Sequence, residues 1–397
     1  MAVNFSFGTD LPHEIIDLFL KRVNCAEDLI KSGGVCKSWQ SVVAAMLNNH
    51  QHQVRFSPWL MLSPPDDDDD SSHEQKVICL STKKLYKFHL PPDRSTQGKR
   101  CWGSPFGWLL TIGLDLNIHL FNPLTQYQLS LPSQPTFLHQ YQLSLPSQPT
   151  FHHQFQSLGP QHLRRVFVQK MVLSSNPSLF SSSVVVVAIY GSIGYLAFAR
   201  PGDEAWTPIH CDRNNYRDAI FFNGQIYAVS NGGYLMVCEN INSPFPHTIE
   251  VASPPPGAEN TEKFYLVEMS GDLYMIERPY EVMNGDGPMR KLQYCSVDFL
   301  VYKLDFSTKT WNMLEDFGDY AMFLGNNTSF AISTSDFPEF KRNHIYFTDD
   351  HVQLFINSFC DMGVYDYGEE DTVETDISMG EDVLTKFTRP LFFIPNF

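Results

Sequence analysis

The 397-residue sequence has no Cys-x-x-Cys pair, no long apolar run and few charged residues. Each shortage excludes something. The eight cysteines, Cys25, Cys36, Cys79, Cys101, Cys211, Cys238, Cys295 and Cys360, are spaced like neither a zinc site nor a disulfide framework, so buried reduced thiols are expected. No stretch approaches the roughly 18 apolar residues that a membrane-spanning helix needs, and VVVVAIY at 184–190 is strand-sized. MAVNFSFGTD lacks a basic region leading into an apolar one, so it does not read as a signal peptide. An intracellular location, cytoplasmic and/or nuclear and not secreted, is the expectation, and the Asn-x-Thr/Ser triplets near Asn326 then carry no weight. Basic residues are also in deficit, with a formal net charge of -16. Phosphate backbones and acidic membrane surfaces repel such a chain, so neither nucleic acid nor membrane is expected as a partner.

Catalytic signatures are missing as well. The sequence holds no P-loop or Rossmann glycine loop, no HExxH and no GxSxG. His139, His152, His153 and His162 cluster without the carboxylate spacing of a metal site and read as a solvated loop. Asp349-Asp350 and Glu369-Glu370-Asp371 fall at turns, where solvated carboxylates are expected; they would act as an acid–base pair only if folding brought them to glycosidase distances. DDDDD at 66–70 has neither the spaced oxygens nor the glycine of a calcium loop. A like-charge block of that kind marks an acidic linker or loop over 51–76. No catalytic residue, metal or cofactor is expected.

What the sequence does have is aromatic residues, at 14%, with Pro and Gly scattered between them. That mixture favours many short strands joined by turns. Residues 11–46 differ, with helical periodicity. Ile15, Ile16, Phe19, Leu20 and Val23 fall on one face at 3.6-residue spacing behind Pro12 in a first turn. AEDLI predicts a short second helix ended by Gly33 and Gly34, and Val35, Trp39, Val42, Val43 and Met46 form the stripe of a third. Three helices in about fifty residues hold too little core to stand alone, so they must bury their apolar stripe on a neighbour, either their own chain or a partner.

Leu11-Pro12, Ile15-Ile16, Leu29 and Val35-Cys36-Lys37-x-Trp39, in that spacing, resemble the F-box motif. The resemblance implies that residues 1–50 dock on the Skp-type adaptor of an SCF ubiquitin ligase, with Leu11, Pro12, Ile15, Leu20, Val35, Cys36 and Trp39 as contacts. The Gly33-Gly34 pair departs from the family pattern. An ordinary helical subdomain, packing its stripe internally, is the bland alternative. Cys36 reads as a small apolar side chain, without a basic partner in sequence to activate it.

Beyond residue 76 short apolar runs bounded by turns take over. GWLLTIGLDLNIHLFNPLTQYQLSLP, VVVVAIYGSIGYLAFARPGDEAWTPI and DFLVYKLDFSTKTWNML repeat a strand–turn–strand theme. FFNGQIYAV, EMSGDLYMI and FKRNHIYFT repeat a second one, a turn around Asn or Gly and then an aliphatic and a tyrosine. A degenerate repeat of about 45 residues is the mark of a β-propeller. Blades are read to begin near Val77, Gly107, Val184, Gly224, Gly271 and His344, which gives about six. RPLFFIPNF at 389–397 is the natural strand to close the ring on an early blade. The fold expected is therefore mainly β, a β-propeller over 77–397 behind a small three-helix segment. GWLL, IHLFNPLT, LAFARPGDEAWTPI, NGQIYAV, HIYFTDD and FFIP together resemble the plant F-box proteins with a KIB-type β-propeller.

One phrase stands apart. QYQLSLPSQPTFLH at 126–139 recurs at 140–153 with a single change, Leu138 against His152. Fourteen residues are far too few for a blade, so a local duplication is read, inserted around 133–160. NPLT leads directly into the first copy, which predicts a strand near Tyr127–Leu131 and an exposed loop from about Pro135 to Gly159.

Two functions fit. In one, the chain is a non-catalytic substrate receptor: the helices hold a Skp-type adaptor and, through it, cullin and RING subunits, while the propeller recruits an unnamed target for ubiquitylation. In the other, the propeller is an enzyme or small-ligand sensor and the helices are packing.

Overall fold

The computed structural model describes residues 11–23, 26–48, 56–62, 74–91, 99–137, 159–177, 183–211, 213–258, 261, 263–284, 292–350, 361–369, 371–373 and 389–396. Three helices come first: α1 (His13–Leu20), α2 (Ala26–Gly33) and α3 (Lys37–Asn48). Seven sheets follow: six are arranged as the blades of a propeller, and the seventh is a two-stranded ribbon, Tyr280–Asn284 with Leu292–Ser296, inserted between the second and third strands of blade V. In blades II to V the strand nearest the axis comes first in sequence. These inner strands are Arg100–Gly103, Val168–Leu173, Tyr216–Phe222 and Phe264–Met269. Each packs beside the inner strand of the next blade.

Blade I is built differently. Its inner strand is Leu391–Phe393, which pairs antiparallel with Trp59–Met61, followed outward by Glu74–Cys79 and Leu85–His89. The expected closing strand is thus in place. Its partner lies inside the segment expected to be linker, and Trp59, Leu60 and Met61 are all buried. The acidic run itself lies outside the described residues.

Blade VI also departs from the pattern. Tyr320–Leu324 pairs parallel with His344–Phe347, and an added strand, Phe330–Ser333, takes the inner position. The six blade starts read from sequence therefore mark second strands in blades II to V and third-position strands in blades I and VI. Second strands such as VVAIY are buried throughout and carry the strongest apolar signal. Inner strands carry Arg100, Lys170 and Asp218, polar residues whose partners belong to other blades.

The repeated turns behave as their chemistry requires. Asn223 and Gly224 have φ of 48° and 76°, and Ser270 and Gly271 have 54° and 79°, the mirror-image turn that matches strand twist. NPLT closes on Asn122, whose Oδ1 accepts from the amides of Leu124 and Thr125 at 2.9 and 3.0 Å. The first copy of the doubled phrase then supplies the strand Gln128–Leu131, paired with Ile118–Phe121. Phe137, at the start of the segment expected to be an exposed loop, is instead 1% exposed and stacks on Trp206 at 4.4 Å. The second copy, with Tyr141–Leu145, lies outside the described residues. A helix α4 (Pro160–Val166) follows it.

Six hydrophobic clusters hold the ring, one in each seam between neighbouring blades. The cluster at the seam of blades I and II is the one that the helices join. Leu20, Leu29, Trp39, Val42 and Met46 share it with Phe56, Trp59, Phe88, Phe121 and Phe393. The apolar stripe of the helices thus finds its neighbour in its own chain.

Phe393 is fully buried, edge-on to Trp59 at 5.8 Å, on the strand that shuts the ring. Truncating it leaves a cavity in a seam that cannot collapse. Phe393→Ala should lower unfolding stability by about 3–5 kcal/mol, read as a lower urea midpoint. An unchanged midpoint would mean that this strand does not close the ring in solution.

Candidate functional site

The residues expected to contact an adaptor divide into two groups. Leu20 is fully buried and Trp39 is 9% exposed; both belong to the core shared with the propeller. Cys36 is half-buried against that core. Leu11, Ile15 and Val35 are 40%, 48% and 54% exposed, and Pro12 is exposed beside them. Leu18 and Phe19, not among the assigned contacts, are each 59% exposed. The geometry explains the division. Residues 16 and 20 lie one turn apart and face inward, so 15, 18 and 19 turn outward. Phe19 stays close to the buried set, its ring edge-on to Trp39 at 5.7 Å. The outcome is a compact apolar surface on a helical unit that is anchored from behind.

The propeller face that carries this unit follows from strand direction. Antiparallel order puts first-to-second and third-to-fourth strand turns on one face, and the remaining links on the other. Phe56, leading into Trp59–Met61, and Leu124, in the NPLT turn, both lie on the first face and both pack against the helical core. Lys84, in the third-to-fourth turn of blade I, pairs with Asp28 of α2 at 3.6 Å.

The opposite face gathers ionisable groups at the mouth of the axis. Lys170 of blade III meets Asp218 of blade IV at 2.7 Å. The second oxygen of Asp218 accepts the Leu266 amide of blade V at 2.9 Å. Lys263 meets Asp350 of blade VI at 2.9 Å, and Arg278 meets Asp361 at 3.0 Å. Arg278 also donates to the Tyr265 hydroxyl at 2.8 Å, and that hydroxyl donates to Asp350 at 3.1 Å. Arg389 closes the set on Asp349 at 2.7 Å. The solvated turn expected at Asp349-Asp350 is therefore wrong. Both carboxylates are buried in ion pairs whose partners are remote in sequence. Burial raises the Asp218 carboxyl, against the pull of Lys170. Burial acts on Asp350 in the same sense, but Lys263 and Arg278 prevail and hold it below the ordinary carboxylate value.

These groups satisfy one another across blades, which is a structural arrangement. Among the described residues no cluster of His, Cys, Asp or Glu suits a metal ion. Of the described cysteines, Cys79, Cys101 and Cys238 are buried. Burial pushes the Cys101 thiol up to about 12, which removes it as a nucleophile at neutral pH. Asn326 and Asn327, in the triplets set aside above, are buried and bonded to backbone. No helix among the described residues is long and apolar enough to cross a membrane.

Comparison with known proteins agrees with this architecture. F-box protein SKIP23 of Arabidopsis thaliana is 26% identical over 381 residues, covering 90% of this chain and 88% of its own. The Arabidopsis F-box/kelch-repeat protein At1g57790 is 24% identical, covering 94% and 93%. A Lactobacillus plantarum protein of known structure aligns over 85% of this chain at 11% identity, with a TM-score of 0.31, too low to carry an argument. The profile of the KIB1-4 beta-propeller family matches residues 77–366, most of the ring just described, and the chain belongs to that family.

Proposed function

We propose that the chain is the substrate-recognition subunit of an SCF-type E3 ubiquitin ligase. The helical segment is its F-box and docks on a Skp-type adaptor, which links it to cullin and RING subunits. The propeller recruits the protein to be ubiquitylated. The observation that carries this reading is the division of the F-box-like set. Leu11, Pro12, Ile15 and Val35 stand outward with Leu18 and Phe19, while Leu20 and Trp39 tie the same helices to the ring. Full-length relatives that bear the F-box name support it. Such a subunit acts by proximity: it holds target lysines near the ubiquitin-carrying enzyme and so raises their effective concentration. With the adaptor on one face of the propeller, the opposite face and the rim are left for the target. The mutual pairing of Lys170, Lys263, Arg278, Asp218, Asp350 and Asp361 favours a propeller without chemistry of its own. The place of action is intracellular, in cytoplasm and/or nucleus.

Exposed and buried members of the set should separate experimentally. Ile15→Asp and Val35→Asp should each weaken adaptor binding by about 2 kcal/mol or more, with the melting temperature unchanged. Trp39→Ala should lower the melting temperature through the shared core. Calorimetric titration of the adaptor into the three variants decides; adaptor binding that survives Ile15→Asp with Val35→Asp sinks the proposal.

The ionic network should behave as scaffold. Lys170→Met strands the Asp218 carboxylate and should cost about 3–5 kcal/mol of stability, while adaptor affinity stays at the wild-type value. Denaturant titration and the same calorimetry report the two quantities separately.

A further inference from the structure

We infer that blades II and III carry a docking site for an acidic peptide segment of a partner protein, on the propeller face opposite the helices. The observation behind it is an uneven distribution of charge. Residues 94–202 run from the approach to blade II past the third strand of blade III, and they contain seven Lys or Arg against a single acid, Asp115. That sector has a formal charge of +6, against -22 for the rest of a chain that totals -16. The overall deficit of basic residues thus conceals a basic sector in an acidic ring.

Folding gathers four of those cations in the seam between the two blades. Arg100, on the inner strand of blade II, reaches across to α4 and the start of blade III. Its guanidinium donates to the Arg164 and Arg165 carbonyls, to the Val168 carbonyl at 2.6 Å and to the Gln169 carbonyl at 3.3 Å. It also lies over the Trp102 ring at 4.5 Å. Arg100 is thus held by backbone carbonyls, two of them in the last turn of α4, and not by a carboxylate. Burial raises the Cys101 thiol, and Lys99, Arg164 and Arg100 all pull against it, which places the three around one point. Burial, then Arg165 and Arg164, bring the Arg100 guanidinium down to about 9. The single acid is engaged elsewhere: one Asp115 oxygen accepts the Asn117 amide at 3.1 Å and the other accepts the Asn117 side chain at 2.8 Å.

Strand direction sets the face. The link from the outer strand of one blade to the inner strand of the next falls opposite the helices, and both Lys99 and α4 lie in such links. Lys99, Arg100 and Arg164 are buried and act through their field. Gln161 is exposed and His162 and Arg165 are half-buried, so a partner meets the sector along α4. Charge then selects the occupant. At physiological salt the field of the acidic blades is screened beyond about 8 Å, so anionic side chains close to α4 feel the basic sector. A short acidic segment fits within that sector. A nucleic acid is a longer polyanion, runs onto the acidic neighbours and is repelled there. That the segment belongs to the ubiquitylation target rests on the ligase reading; the charge preference does not.

The test titrates the full-length protein, at low ionic strength, with a capped decapeptide of alternating Glu and Gly and with its Gln counterpart. Calorimetry should show saturable binding of the Glu peptide that fades as salt is raised, and none of the Gln peptide. Arg165→Glu should weaken binding by about fivefold or more, an exposed pair lost and a repulsion gained. Arg342→Glu, at an exposed position of blade VI outside the sector, should leave it unchanged. If Arg165→Glu does not fold, His162→Glu should give a similar loss, since it places an acid in the first turn of α4, where it favours the helix. Absence of saturable Glu-peptide binding, equal binding of the Gln peptide, or wild-type affinity in the folded variants overturns the site. An equal loss in Arg342→Glu overturns its placement, and tighter binding of an oligothymidylate overturns the peptide as its occupant. Titration of the Skp-type adaptor into the same samples tests the ligase reading separately, and adaptor binding without peptide binding counts against this inference alone.

Discussion

Three backbone pairings, Trp59 with Phe393, Leu60 with Phe392 and Met61 with Leu391, close the ring. Everything else leans on them. An open blade I would expose two strand edges and would separate the aromatic seams on either side. The approach is tight enough to dictate sequence nearby: a Cβ on Gly103 would sit 2.0 Å from the Phe392 carbonyl oxygen. Blade VI reinforces the joint from the axis. The Asn327 side chain accepts from the Phe392 amide at 3.4 Å, and the Thr328 amide donates to the Gly103 carbonyl at 2.9 Å. One short polar segment thus bridges blades VI, I and II.

The same seam receives the helices, so ring closure and the orientation of the helical unit are one packing problem. Trp39 and Met46 bury against residues that exist as a surface only once Phe393 has joined Trp59. This ordering gives the two propeller faces different work. One is occupied by helices with an outward apolar set. The other is knitted across the axis by Lys170, Asp218, Arg278 and Asp350, where partly made pairs would be costly in so buried a place.

Local signals in the sequence were reliable where the physics is local. Asn-Gly before an aliphatic–tyrosine strand fixes a two-residue hairpin because only those residues accept positive φ cheaply. NPLT fixes the next one through the Asn122 side chain. The helical stripe was legible, but its division was not. Ile15 and Ile16 are equally apolar, and only the position of the ring decides that Ile16 is covered and Ile15 is not. Blade starts fall one strand late in blades II to V for a related reason. Arg100, Lys170 and Asp218 make inner strands look polar, and their partners come from other blades. Phe137 reads as part of an exposed loop because nothing adjacent announces Trp206, its stacking partner.

By itself, the sequence determined the alphabet of this protein: three amphipathic helices, short apolar strands with turn chemistry between them, and a closing segment at RPLFFIPNF. Those features follow from backbone preference and periodicity, which act within a few residues. Tertiary structure alone decided that Trp59–Met61 is a strand rather than linker. It alone buried Asp349 and Asp350, gave blade VI its parallel pair, and chose which half of the helical stripe remains outward. Each of those outcomes depends on contacts between residues remote in the chain, and a burial pattern does not exist until the ring has closed.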